Sequence, residues 1–146
     1  RWGDYVRPGA EAITRQLADR CLSEPAIAAS VLVLLGLSQD PEIFSRSPLE
    51  GAFGVRLQAN APPATITAPL LIAQGGADDI VPQAGQDVFV TGLCTAGQQV
   101  DYRVYAGAGH LSLVQPDSAL TPELFAWTAA RFGGETVPPG CTRTAR

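Results

Sequence analysis

One histidine, His110, and an adjacent pair of aspartates, Asp78 and Asp79, are the residues here that could share a proton productively. The aspartates lie in the stretch "LLIAQGGADDIVPQ", residues 70 to 83, where an apolar run meets a glycine pair. His110 follows "GAG", 32 residues after Asp78. An aspartate bonded to one ring nitrogen of a histidine fixes its tautomer and leaves the other nitrogen free to take a proton from a nucleophile. That is the orienting half of a nucleophilic triad. Each group also has an ordinary use. A lone loop histidine is commonly just solvated, and aspartates in a glycine-rich turn commonly serve the turn. A calcium site needs further oxygens at EF-hand spacing, which the sequence lacks. What favours chemistry is that acid and histidine each follow a strand, and the two strands are consecutive.

Those strands and their helices are legible in the second half of the chain. "LLIAQ", residues 70 to 74, is a short apolar run of the kind covered on both faces in a parallel sheet. "PQAGQDVFVTGLCTAG" is helix-like. "QVDYRVYA", residues 99 to 106, alternates Val100, Tyr102 and Val104 with Asp101, Arg103 and Tyr105, which predicts a strand. "TPELFAWTAARFGG" predicts a helix with Thr121 as N-cap, Pro122 at its first position and Gly133–Gly134 as its stop. The order strand, helix, strand, helix gives a right-handed parallel crossover as the default. In open parallel sheets functional groups gather beyond the carboxyl ends of strands. Asp78 and His110 are therefore expected side by side, with Gly107 and Gly109 allowing the sharp turn before the histidine. Two strands do not make a stable sheet alone. They are expected to join strands from elsewhere or to pair with a second copy. The tail "ETVPPGCTRTAR" is polar and proline-rich and predicts no element of its own.

Residues 1 to 48 read as helical. "PGAEAITRQLADRCL" sets Ile13, Leu17 and Cys21 on one face. "EPAIAASVLVLLGL" is apolar on more than one face and must be covered. "SPLEGAFGVRLQAN" is a weaker third stretch, and "APPATITAP", residues 61 to 69, reads as a linker.

Composition narrows the classes of function. The chain has 146 residues, 46% of them hydrophobic, the size of one domain with a real core. Its net charge of −4 argues against non-specific nucleic-acid binding, which needs a basic face. No apolar run reaches the length of a membrane span, and the longest candidate is residues 26 to 37. The chain has no methionine, so a removed leader or a piece of a longer protein is expected. Cys21, Cys94 and Cys141 are an odd set without C-x-x-C spacing, which disfavours zinc. Three buried free thiols are one reading of them.

"GGADDIVP" resembles the acid-loop motif of α/β-hydrolases, which would make Asp78 the triad acid and Asp79 its neighbour. The order acid then histidine matches the Ser…Asp…His order of that fold. "YAGAGH" is similar to the turn that delivers the histidine. Residues 61 to 141 resemble the end of the secretory lipases, of the fungal lipase-A type and many actinobacterial lipases. The matching pieces are "TAPLLIAQGGADDIVP", "LCTAGQQVDYRVYAGAGH", "WTAARFGG" and the late Cys141. The likeness implies an α/β fold, the C-terminal portion of an α/β-hydrolase. Residues 61–146 would be its core segment, with a polar tail over 134–146, and residues 1–60 a helical lid-derived and connecting segment. It also implies a disulfide between Cys94 and Cys141, pinning the tail across the last helix, with the partner of Cys21 upstream.

The departure from the family is the nucleophile. No G-x-S-x-G occurs, and none of the serines at 23, 30, 38, 45, 47, 112 and 118 sits between glycines. Ser112, two residues from His110, has no evident means of activation. The chain is thus expected to supply acid and base of a secreted lipase or carboxylesterase, and to be inactive alone. Its partners would be a lipid or ester substrate and a missing N-terminal half, with no metal or organic cofactor. Uncovered apolar faces would favour self-association. Ile27, Val31, Leu34 and Leu35 would give a lid its apolar face, or belong to an ordinary helix packed on a core. The rival reading is a non-catalytic exported module that binds a partner or dimerises on the same scaffold.

Overall fold

The computed structural model of the protein describes residues 1–19, 28–29, 32 and 43–146. The chain divides into two compact units, Arg1–Ala61 and Pro62–Arg146. In the first, helix α1 (Pro8–Ala18) opens on a proline, whose missing N–H would have no helical partner there anyway. Thr14 is buried on it and accepts the indole N–H of Trp2 at 3.1 Å. Helix α2 (Gly51–Ala59) has no capping side chain of its own. Tyr5 serves instead: its hydroxyl accepts the Phe53 N–H at 3.1 Å and donates to Glu50 O at 3.1 Å. This satisfies one of the first-turn donors that every helix leaves open. Trp2 meets Phe44 and Phe53 edge-on, at centroid distances of 6.2 and 5.8 Å. Ile27, Val31, Leu34 and Leu35, the expected lid face, lie outside the described residues, as does Cys21.

The second unit is built on three parallel strands, β1 (Leu70–Gly75), β2 (Val100–Tyr105) and β3 (Cys141–Ala145), in the order β1-β2-β3. Helix α3 (Gln83–Thr95) follows β1, and helix α4 (Leu120–Phe132) follows β2. Register runs from Leu70↔Val100 to Gly75↔Tyr105. Period-two alternation then sorts the core. Leu70, Ile72, Val100, Tyr102 and Val104 pack with Val90 and Leu93 of α3. Leu71 and Ala73 pack with Tyr105, Leu113 and Leu120. Side chains of a strand point alternately to its two faces, so both faces of the sheet are covered, as the apolar run predicts. The chain is therefore of the α/β class, with a small parallel sheet among helices. Gln98, 3% exposed, ties the linker to the sheet: it accepts the Ile66 N–H at 2.6 Å and donates to Ala68 O at 2.9 Å.

Two expectations are corrected. The tail is not featureless, because Cys141–Ala145 forms the third strand, in register from Val100↔Cys141 to Val104↔Ala145. The sheet thus finds a further strand within its own chain. Most side chains of β3 are exposed and it is held by backbone pairing, so it leaves no hydrophobic pattern to read. Helix α4 begins at Leu120 rather than after Thr121, and no side chain caps it. Thr121 donates back to Gln115 O at 3.0 Å, fastening the preceding turn instead.

The Cys94–Cys141 disulfide is present, with Cα atoms 5.9 Å apart. It joins the end of α3 to the first residue of β3, alongside β2, and not across α4. The polar face of β2 is paired beneath α4 instead of facing water. Arg103, 12% exposed at its side chain, bonds Asp101 at 2.6 Å and Glu123 of α4 at 2.7 Å. Glu123 also accepts the Tyr105 hydroxyl at 2.8 Å and pairs with Arg146 at 3.2 Å.

Candidate active site

Beyond the carboxyl ends of β1 and β2 the two following loops stay joined. Gly76 N–H donates to Tyr105 O at 2.8 Å, and Ala77 N–H to Ala108 O at 3.0 Å. The loop carrying the acid is thereby zipped to the loop carrying the histidine. This approach needs glycine at position 75, because a Cβ there would lie 2.4 Å from Ala108 O. On the histidine side Gly107 takes φ +73°, a left-handed conformation that residues with a Cβ avoid. Gly109, expected to share that task, has no positive φ; the turn rests on Gly107.

The zipped loops set Asp78 Oδ2 2.9 Å from His110 Nδ1. The other carboxylate oxygen accepts the N–H of Val81 at 2.8 Å and of Ile80 at 3.0 Å. The Asp78 side chain is 6% exposed, whereas that of His110 is 41% exposed. The Val81 N–H, helped by the bonds from His110 and Ile80, outweighs burial and holds the Asp78 carboxyl below its ordinary value of 3.8. Asp78 is thus a committed carboxylate and a hydrogen-bond acceptor. Nδ1 of a neutral His110 donates to it, which leaves Nε2 as the basic nitrogen. Nε2 has no partner among the described residues. The site can receive a proton at Nε2 of this part-exposed ring and stabilise the resulting cation through Asp78.

The remaining sequence candidates separate cleanly. Asp79 is exposed and makes no bond to the imidazole. Ser112 is engaged with its own loop: its hydroxyl accepts the Gly109 N–H at 2.8 Å and donates to Gly109 O at 3.2 Å. It offers no nucleophile to His110. Ile80, two residues after Asp78, and Leu111, next to His110, are exposed, as is Val114. One participant escaped sequence reasoning. Gln74, buried at 4% exposure, reaches under the acid loop and donates to Gly75 O and Val81 O, both at 2.9 Å. Its signal was a lone amide inside an apolar strand. Among the described residues, no group of three or more His, Cys, Asp or Glu is placed to hold a metal ion. Nor is any described helix long and apolar enough to cross a membrane.

Fold and site together define an α/β unit with an acid–histidine pair at the carboxyl rim of two adjacent parallel strands. Compared with known proteins, the chain matches no family model, no curated protein and no solved structure.

Proposed function

We propose that the chain is the acid-and-histidine portion of an exported α/β-hydrolase of the secretory-lipase type, cleaving carboxylic esters. The observation that carries this reading is the 2.9 Å contact of His110 Nδ1 with Asp78 Oδ2, on an imidazole side chain that is 41% exposed. Exposed Ile80, Leu111 and Val114 around the loops favour an apolar acyl group, as in an acylglycerol. The Cys94–Cys141 bridge supports an oxidising, extracytoplasmic setting.

In this reading a serine from a segment upstream of the chain loses its proton to His110 Nε2 as its oxygen attacks the ester carbonyl carbon. Asp78 stabilises the imidazolium without taking the proton. The imidazolium then protonates the departing alkoxide, which leaves as alcohol and frees an acyl-serine. Nε2 next takes a proton from water as the water oxygen attacks the acyl carbon. Returning that proton to the serine oxygen releases the carboxylic acid. The oxyanion donors also belong to the upstream segment. The present chain, with no G-x-S-x-G, is expected to hydrolyse no ester alone.

The test is made in the full-length protein read from the upstream coding sequence. Asp78→Asn is expected to lower kcat for a soluble ester by about 10⁴-fold through the wrong tautomer, and His110→Ala by at least as much. Undiminished hydrolysis by His110→Ala removes the reading. The apolar exposed loops also suit a non-catalytic binding or dimerisation module. That alternative gains if the mature chain is no longer than this one and its association is indifferent to His110→Ala.

A further inference from the structure

We infer that Gln74 is a positioning residue for the Asp78–His110 pair, its buried amide holding the acid loop in the curvature that aims the carboxylate at the imidazole. The strand that bears it is otherwise apolar up to its final glycine, and an amide there needs partners. Both partners are in the acid loop. Nε2 donates to Gly75 O at 2.9 Å, where the loop leaves β1, and to Val81 O at 2.9 Å, where it turns towards α3. One side chain therefore ties the two ends of a seven-residue arc with Asp78 inside it.

The tie reaches the functional carboxylate through Val81. The carbonyl of that residue is held by Gln74, and its N–H is the 2.8 Å donor to Asp78 Oδ1. That N–H is also the strongest influence keeping Asp78 ionised. Without the amide, Val81 O loses its buried partner and Val81 is free to rotate its N–H off the carboxylate. A side chain of equal size and no donor fills the space but leaves Val81 O without its bond, while Gly75 O keeps only the Asp78 N–H at 3.3 Å. Gln74 touches neither the imidazole nor any reacting atom, so it acts only by placing Asp78.

The inference rests on the hydrolase reading for its catalytic consequence alone. Its direct consequence is a tautomer, which can be measured without any ester. His110 is the only histidine, so imidazole nitrogen NMR on the intact chain reports a single site. In mildly alkaline solution the unsubstituted chain is expected to carry its proton on Nδ1. Asp78→Ala sets the endpoint for complete loss of that preference. Gln74→Met, close in volume and without donors, is expected to move the tautomer ratio at least about halfway to that endpoint. Val90→Ala is the control: it opens a cavity in the core beside α3 and lowers the melting temperature with no route to Asp78. It should leave the ratio where it was. An unchanged ratio in Gln74→Met, or an equal change in Val90→Ala, overturns the inference.

Should Gln74→Met fail to fold, the unsubstituted chain still decides. The Val81 amide and the Gln74 carboxamide should exchange with solvent at least about tenfold more slowly than unbonded exposed amides. Exchange of both at the unprotected rate overturns the inference. The two proposals also fail separately. A full-length protein that ignores His110→Ala ends the hydrolase reading and leaves the tautomer result standing. A tautomer insensitive to Gln74 ends the positioning role and leaves hydrolysis untouched.

Discussion

Asp78 is the residue on which the site turns, and its environment has a pH consequence with a definite sign. Its carboxyl is held below the ordinary 3.8, first by the Val81 N–H and also by His110 and Ile80, against the cost of burial. Asp87 is likewise lowered, by the Tyr102 hydroxyl and then Arg143. A carboxyl depressed in the folded state contributes stability above its unfolded value, and that contribution is lost as pH falls through the folded value. Stability in thermal melts should therefore fall as pH drops below about 4 and these two carboxyls take up protons. Asp78→Asn should make that fall shallower; an identical acid limb would show that Asp78 stores no such stability. Gly75 carries the second residue-scale expectation. Its missing Cβ leaves room for Ala108 O, which would otherwise be met at 2.4 Å, backbone against side chain. Gly75→Ala should cost about 1–3 kcal/mol in urea unfolding and separate the two loops, seen as a change in the His110 imidazole resonance. Asp78 and His110 were legible in the sequence because the chain holds a single histidine and each of the two follows a strand. Gln74 and Gly75 were not. Their partners are backbone carbonyls, and no residue letter records where a carbonyl of another loop will lie.

Strands and helices were legible to the extent that burial writes a period into the sequence. β1 and β2 are covered on both faces, and alternation with an apolar run showed both. β3 has mostly exposed side chains and is defined by its partners, so a polar tail concealed it. The start of α4 departs from the capping pattern for a related reason. Ser118 and Thr121 bond to each other and to the turn before the helix, work that a capping rule reads as the helix terminus. The disulfide gives β3 its place. It closes a loop across a sequence separation of 47, and a loop of that size contributes about 4 kcal/mol in the chain-entropy account of cross-links. Side chains reinforce it: Arg143 of β3 bonds Asp87 of α3 at 3.0 Å and lies over the Tyr102 ring at 5.2 Å. Burial, with the bond to Asp87, pushes the Tyr102 phenol up to about 12. Cys141→Ser should accordingly lower the unfolding free energy by about 4 kcal/mol and speed amide exchange in β3 before β1. Equal stability of oxidised and reduced chains in denaturant titration would show that backbone pairing alone retains the strand.

At the scale of the molecule, the sheet of the second unit ends in two unlike edges. β3 carries Arg143, and a charge on an edge strand discourages further pairing. β1 reads Leu70–Gly75 without a charged residue and has no partner on its outer side among the described residues. Leu70 N–H turns inward to Gln99 O at 3.0 Å, so by strand geometry the alternate amides of Leu71 and Ala73 face the open edge. The surface adds apolar area of its own: Phe125 is 70% exposed and Phe132 of the same helix 91% exposed. Unpaired amides and uncovered aromatic rings both gain by association. The chain is expected to self-associate as its concentration rises, with β1 as the joining edge. Sedimentation should show a concentration-dependent average mass. Exchange at Leu71 and Ala73 should slow in parallel, while the β3 amides stay unchanged. Phe125→Ser with Phe132→Ser should weaken association without costing the folded state more than about 0.5 kcal/mol for each substitution, since surface substitutions away from special features rarely cost more. A chain that remains monomeric throughout, with Leu71 and Ala73 exchanging at one constant rate, would overturn β1 as a joining edge.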